Sequence, residues 1–254
     1  MSWNARRQLI ILLGLLTILG AVLGGVYYVA VPEDTCFDGR LGAGELGVDC
    51  GGVCNDVCSA EVGDLIVGWV KILPVRSTQY DVAAFVRNPN DRFIARELAY
   101  QFKVFDEDNI LITERNGLTF AGPRDEFVVY EPKLPVGNKI PRRATIQFSL
   151  PAWERVDSVP QPTIFVRNQS FESLPTPVIT AEVVNTGVEK KRDVEVSAVL
   201  MEADRNVFAV SRTVVTTLLP QDTGDILFGW PGAFDKDPVF IEIFPHYIRE
   251  GLDK

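Results

Sequence analysis

The stretch AFVRNPN, Ala84 to Asn90, is a short apolar run that stops at an Asn-Pro-Asn turn. A second stretch, EVVNTG from Glu182 to Gly187, stops in the same way. Each is followed by an alternating segment and then an acidic turn: VFDEDNIL (104–111) in the first region and LMEADRNVF (200–208) in the second. Asn88 to Asn109 is 21 positions, and so is Asn185 to Asn206. Two regions that repeat an order of runs and turns point to duplication of one structural unit.

The texture around these stretches fixes the type of unit. Tyr100, Phe102 and Val104 alternate with Gln101 and Lys103. Ile146, Phe148 and Leu150 alternate with Gln147 and Ser149, and Val194, Val196, Ala198 and Leu200 with Glu195 and Ser197. Alternation of period two, punctuated by Asn, Asp, Gly and Pro, predicts strands with one buried face. Trp69-Val70-Lys71 and Phe165-Val166-Arg167 lie upstream at similar offsets and are expected as opening strands. The segment Leu150–Pro162 holds three prolines, which resist helix and strand, and is expected to join the copies.

Upstream of the repeats, Leu9 to Val31 is a run of 23 residues without a charge. About 20 apolar residues span the hydrocarbon core as a helix. Arg6 and Arg7 precede the run, and Pro32, Glu33 and Asp34 follow it. The positive flank predicts a cytoplasmic amino end and an extracytoplasmic remainder. A cleaved signal peptide has a shorter apolar core of about 7–15 residues, so the length favours an anchor. Gly20 and Gly24 form the G-x-x-x-G spacing that lets two such helices approach, which makes them candidate helix-packing residues and a homo-oligomer an expectation to test.

All four cysteines, Cys36, Cys50, Cys54 and Cys58, lie between that run and the repeats. Outside the cytoplasm such a cluster reads as two disulfides, and sequence alone leaves all three pairings open. The segment has too few large apolar residues to build a core, so crosslinks would replace one. Asp38, Glu45 and Asp49 on its glycine-rich backbone are candidate calcium ligands, weighed against plain solvated acids. Zinc is disfavoured because Cys36 lacks a nearby cysteine partner.

Little in the chain suggests catalysis. The single histidine, His246, sits beside Pro245 in a last apolar run and reads as a packing or surface residue. No nucleophile elbow, Walker loop or H-E-x-x-H motif is present. Asp106, Glu107 and Asp108 read as solvated turn residues, and Lys190, Lys191 and Arg192 as a solvated loop. Asn168-Gln169-Ser170 fits a glycosylation sequon. Phe228, Trp230 and Phe234, with Pro231 and flanking glycines, are candidate partner contacts if exposed and a lid over the second unit's core if buried. The net charge of −9 argues against nucleic acid as a partner.

Two resemblances accompany these readings. The segment from Cys36 resembles a short cysteine-rich repeat of secreted and surface-anchored proteins, C-x-D-G…G-E-x-G-x-D-C-G-G-x-C-x-x-C. Cys36, Asp38, Gly39, Gly44, Glu45, Gly47, Asp49, Cys50, Gly51, Gly52 and Cys54 match it. The last cysteine departs, with three residues before it instead of two. Each repeated unit resembles the immunoglobulin-like sandwiches of the FxLYD and late-embryogenesis-abundant type 2 groups, through Asn88, Pro89, Asn90 and Asp106 to Asn109 in the first, and Asn185, Gly187 and Asp204 to Asn206 in the second. These groups are binding or accessory modules, so the resemblance implies a fold and no active site.

The expected protein is mainly β. It has a cytoplasmic tail (1–8), a transmembrane helix (9–31), a disulfide-stapled segment (32–60), a first sandwich (61–151), a linker (152–162), a second sandwich (163–248) and a C-terminal tail (249–254). The expected role is non-enzymatic: binding an envelope or surface protein, with the membrane engaged through the helix and no cofactor beyond the calcium candidate. The alternative is an accessory subunit that takes lipid or glycan in a sandwich cleft.

Overall fold

A computed structural model describes residues 3–30, 36–42, 44–76, 78–157, 161–173 and 175–249. Val31 and the flanking Pro32, Glu33 and Asp34 fall outside the described residues, as does most of the expected C-terminal tail. The chain forms two compact units, Met1–Cys58 and Ser59–Lys254.

The first unit contains helix α1 (Trp3–Ala30), in which Arg6–Tyr27 is long and apolar enough to cross a membrane. At 1.5 Å per residue those 22 residues measure about 33 Å, against a hydrocarbon core of about 30 Å. No part of that window is buried by the rest of the chain. Such a helix serves as a membrane anchor or as a signal sequence.

The crosslinked segment pairs Cys36 with Cys54 and Cys50 with Cys58. Closing loops of 18 and 8 residues restricts the unfolded chain by about 2.5–3 kcal/mol each. The glycines of the motif have identifiable jobs. A Cβ on Gly52 (φ +59°) would fall 1.8 Å from the Gly44 carbonyl oxygen. A Cβ on Gly47 would fall 2.9 Å from the sulfurs of both Cys50 and Cys58. Gly52→Ala is therefore expected to scramble the disulfide pairing, whereas Gly39→Ala, with nothing within 4 Å of the added carbon, is expected to cost only the roughly 1 kcal/mol of a left-handed backbone. Disulfide mapping of the two variants checks this, and native pairing in both would contradict it.

The second unit, after a 3-10 turn at Ser59–Glu61, is β throughout. The first sandwich comprises β1 (Ile66–Arg76), β2 (Gln79–Arg87), β3 (Phe93–Phe105), β4 (Leu111–Ala121), β5 (Glu126–Glu131), β6 (Arg143–Phe148) and β7 (Trp153–Arg155). The second comprises β8 (Ile164–Glu172), β9 (Val178–Asn185), β10 (Lys191–Met201), β11 (Val207–Leu218), β12 (Thr223–Gly229) and β13 (Phe240–His246). The sheets are β1-β2-β5 and β4-β3-β6 in one copy, and β8-β9-β12 and β11-β10-β13 in the other. All pairings are antiparallel, and the strand order is the same in both copies. The duplication read from the runs and turns is therefore present in the topology.

Each sandwich closes on its own alternating residues. Val82, Ala84 and Val86 of β2 face Leu98, Phe102 and Val104 of β3, with Phe127 of β5. Ile179, Ala181 and Val183 of β9 face Val194, Val196, Ala198 and Leu200 of β10, with Phe228 of β12. Leu150 lies past the end of β6 and is 95% exposed, so it does not continue the alternation that precedes it. The segment expected as a linker begins with β7, which pairs with β3 beside Phe93–Ala95, so proline content there did not prevent pairing. Pro151 lies between β6 and β7 and needs no ladder donor in that gap. Residues 158–160 of that segment lie outside the described residues.

The asparagines that end the quoted stretches are buried, Asn88 at 1% and Asn185 at 0% exposure. The Asn88 Nδ2 donates to the carbonyls of Phe93 (3.1 Å) and Gly122 (2.7 Å), and its Oδ1 accepts from Asn90 N (3.0 Å). The Asn185 Nδ2 donates to Glu189 (2.8 Å) and Leu219 (3.1 Å), and its Oδ1 accepts from Gly187 N (3.0 Å). One amide thus holds its own turn and ties two loops together. The second asparagines are not equivalent, despite their equal spacing. Asn109 (φ +60°) donates its N–H to Asp106, and Arg205 (φ +64°) donates to Glu202, so Arg205 occupies the place of Asn109.

The two sandwiches pack on each other through a third apolar cluster. It joins Leu73, Ala83 and Val128 of the β1-β2-β5 sheet to Val199, Met201, Val207 and Val210 of the β11-β10-β13 sheet. Trp69 stacks on Phe85 at 6.2 Å, and Phe85 meets Phe244 at 5.3 Å. Both sheets are therefore covered on both faces, which is why β2 and β10 are buried nearly without alternation.

Candidate functional site

The junction between the sandwiches leaves a cleft of about 350 Å³. One wall is Leu73, Pro74 and Val75 of β1 with Asp81 of β2. The other is Phe208, Ala209 and Val210 of β11 with the loop Trp230–Lys236. The loop is held by Trp230, whose Nε1 donates to the Val210 carbonyl at 3.3 Å and whose backbone N–H donates to Pro177. Phe234 packs edge-on against both Trp230 (5.4 Å) and Phe208 (5.3 Å). Asp81, Glu202 and Asp235 supply carboxylates to the lining and Lys236 an ammonium.

Of the three candidate partner contacts, Phe228 is buried in the second core. Trp230 and Phe234 pack partly against that core and also line the cleft. Asp81 and Phe208 were not singled out by sequence. Asp81 carried a signal, being the lone acid within the buried run of β2. It accepts hydrogen bonds from the Tyr130 hydroxyl and from Lys133 N (2.8 Å). Burial, and then the Asp81 hydrogen bond, push the Tyr130 phenol well above its ordinary pKa. Tyr100 is raised in the same direction by burial and by its hydrogen bond to Glu131 (2.7 Å).

His246 is 4% exposed and stacks on Phe120 (3.8 Å) and Phe127 (4.5 Å) of the first sandwich. Its Nε2 lies 3.3 Å from Asp125 Oδ2, and Arg249 reaches Asp125 (3.6 Å) and donates to the Pro123 carbonyl (3.1 Å). Tyr247, next in sequence, accepts from the backbone N–H groups of Thr163 (2.7 Å) and Ile164 (3.0 Å). The end of the second sandwich thus clasps a turn of the first. No sequence signal marked Asp125.

The calcium candidates are taken up by the backbone. Asp49 accepts from the N–H groups of Asp38 (2.9 Å) and Gly39 (3.0 Å), Asp38 from Arg40 N (2.8 Å), and Glu45 from Gly42 N (2.9 Å). Among the described residues the metal-type donors that come together are Cys36, Glu45 and Cys54, and these two cysteines are joined as a disulfide. Gly20 and Gly24 lie on the exposed helix with nothing within 4 Å of an added Cβ.

The basic run is not uniformly solvated: Lys191 is 3% exposed, because it opens β10, and its Nζ pairs with Glu189 at 2.9 Å. Asn168 of the sequon is exposed in a bulge of β8 with φ +53°. A hydrogen bond from Asn168, and then one from Arg167, hold the Glu182 carboxyl below its usual range.

No family model matches the chain, and no curated protein matches it. Among solved structures it is similar to red sea bream transglutaminase at 10% identity and a TM-score of 0.23, over 74% of this chain. The chain spans about a third of that structure's length, 32%.

Proposed function

We propose that the chain is a non-enzymatic, single-pass membrane protein that displays two fused β-sandwiches outside the cytoplasm to bind another protein of the envelope. The observation that carries this reading is an apolar helix with no buried face, joined through a disulfide-crosslinked segment to a β body with a buried internal junction. Arg6 and Arg7 lie in the first turns of α1, ahead of its uncharged run from Leu9, and support an inward amino end. The body leaves two outer sheet faces for a partner, one carrying Leu118 (72% exposed) and the other Leu227 (59% exposed).

Photo-crosslinking amino acids at Leu118 and Leu227, in native membranes, test the reading. One stoichiometric protein adduct at either position supports it, and no protein adduct at either defeats it. The aromatic and acidic lining of the 350 Å³ cleft favours a second reading, a glycan or lipid-headgroup ligand held against Trp230 and Phe234. Saturable binding of such a ligand, lost in Trp230→Ala and kept in Leu118→Ser, would establish that reading.

A further inference from the structure

We propose that the disulfide-crosslinked segment rests its apolar side chains in the headgroup region of a zwitterionic lipid surface, beside the helix that anchors it. The inference rests on that helix being a membrane span. Phe37 is 86% exposed and Val53 75%, and Leu41, Leu46 and Val48 are exposed as well. A segment of 23 residues that shows this many large apolar groups to solvent marks a contact surface.

These side chains sit on a fixed scaffold. Phe37 and Val53 each adjoin one half of the Cys36–Cys54 bridge, whose Cα atoms are 5.6 Å apart. Leu46 and Val48 flank Gly47, which lies against the sulfurs of Cys50 and Cys58. The crosslinks do the folding that a core would otherwise do, and so the apolar groups need not turn inward.

Covalent reach selects lipid as the occupant. Residues 31–35 separate Ala30 from Cys36, so Cys36 lies within about 20 Å of the helix end by any path. The segment cannot leave the neighbourhood of the membrane–water boundary, where amphipathic surfaces insert their apolar side. Asp38, Glu45, Asp49 and Asp56 against Arg40 leave a charge of −3, which selects zwitterionic over anionic headgroups. Three of those acids already accept backbone N–H groups, which satisfies them without lipid.

The test uses the full chain in phosphatidylcholine vesicles with a diazirine near the headgroup end of an acyl chain. After irradiation, adducts are mapped by mass spectrometry. Adducts are expected on helix peptides and on peptides from 36–58. The double variant Phe37→Ser/Val53→Ser is expected to lower the latter about tenfold and leave the former unchanged. Disulfide mapping confirms that the variant is folded, and Leu41→Ser/Leu46→Ser provides an independent second pair. A labelled helix with an unlabelled segment overturns the proposal, whether or not a protein crosslinks there. An unlabelled helix overturns the span itself, and the proposal with it.

Discussion

Asn185→Ala is expected to destabilise the second sandwich by about 3–4 kcal/mol. The truncation removes the hydrogen bonds that Nδ2 donates to the carbonyls of Glu189, Leu218 and Leu219, and one accepted bond, at a position with 0% exposure. It leaves the carbonyls of Glu189, Leu218 and Leu219 and the buried N–H of Gly187 without this partner. For a β body of this size, that loss lowers the melting temperature by about 10 °C. Asn185→Asp keeps the shape and the bond to Gly187, but sets a charged oxygen against two carbonyls. It is expected to be at least as damaging at neutral pH, which separates hydrogen bonding from packing. Thermal melts of the two variants measure both effects, and a shift under about 2 °C for Asn185→Ala would show that the amide does not organise the loops.

Val199→Asp is expected to separate the two sandwiches while leaving each folded. Val199 is 1% exposed and belongs to the cluster between the sandwiches, not to either internal core. A carboxylate buried there without a partner costs several kcal/mol, and parting the sheets returns it to water. Calorimetry is expected to resolve two transitions in place of one, with faster proteolysis between residues 156 and 163. Val196→Asp, on the opposite face of the same strand, lies in the second core and is expected to unfold that sandwich outright. Identical behaviour of the two variants would show that the junction is not a separable layer.

The divergence of the two copies explains why there are two layers of stacking surface and no more. The pairing registers match Trp69, Phe85 and Val128 of the first copy with Arg167, Glu182 and Asp225 of the second. They likewise match Val199, Val210 and Phe244 of the second copy with Lys103, Glu114 and Gln147 of the first. At these positions the sheets that meet carry apolar groups and the equivalent sheets at the two ends carry charged or polar ones, although Leu118 and Leu227 remain exposed on the end sheets. A head-to-tail contact that did not close would otherwise propagate into a fibre. Charges and polar groups at these positions of the end faces disfavour it.

The alternation in β3 and β10 was legible because a strand with one face in water must alternate. The asparagine turns were legible because few residues can hold a turn through their own side chain. The apolar helix and the crosslinked segment were legible because both follow from local composition. The equal Asn spacing misled at its second member: a left-handed turn position is filled by Asn109 in one copy and Arg205 in the other, and spacing cannot see backbone dihedrals. Cysteine pairing, the clasp of His246 and Arg249 on Asp125, and the cleft beside Trp230 came only from the tertiary structure. The clasp and the cleft join residues far apart in the chain, whose meeting depends on which outer faces stack, and the cysteine pairing depends on how one short glycine-rich segment folds back on itself. The sequence by itself determined the two sandwiches, since burial on one face writes itself into every second residue. Their fusion into one body was decided by tertiary packing, because a strand buried on both faces loses the alternation that would have announced it.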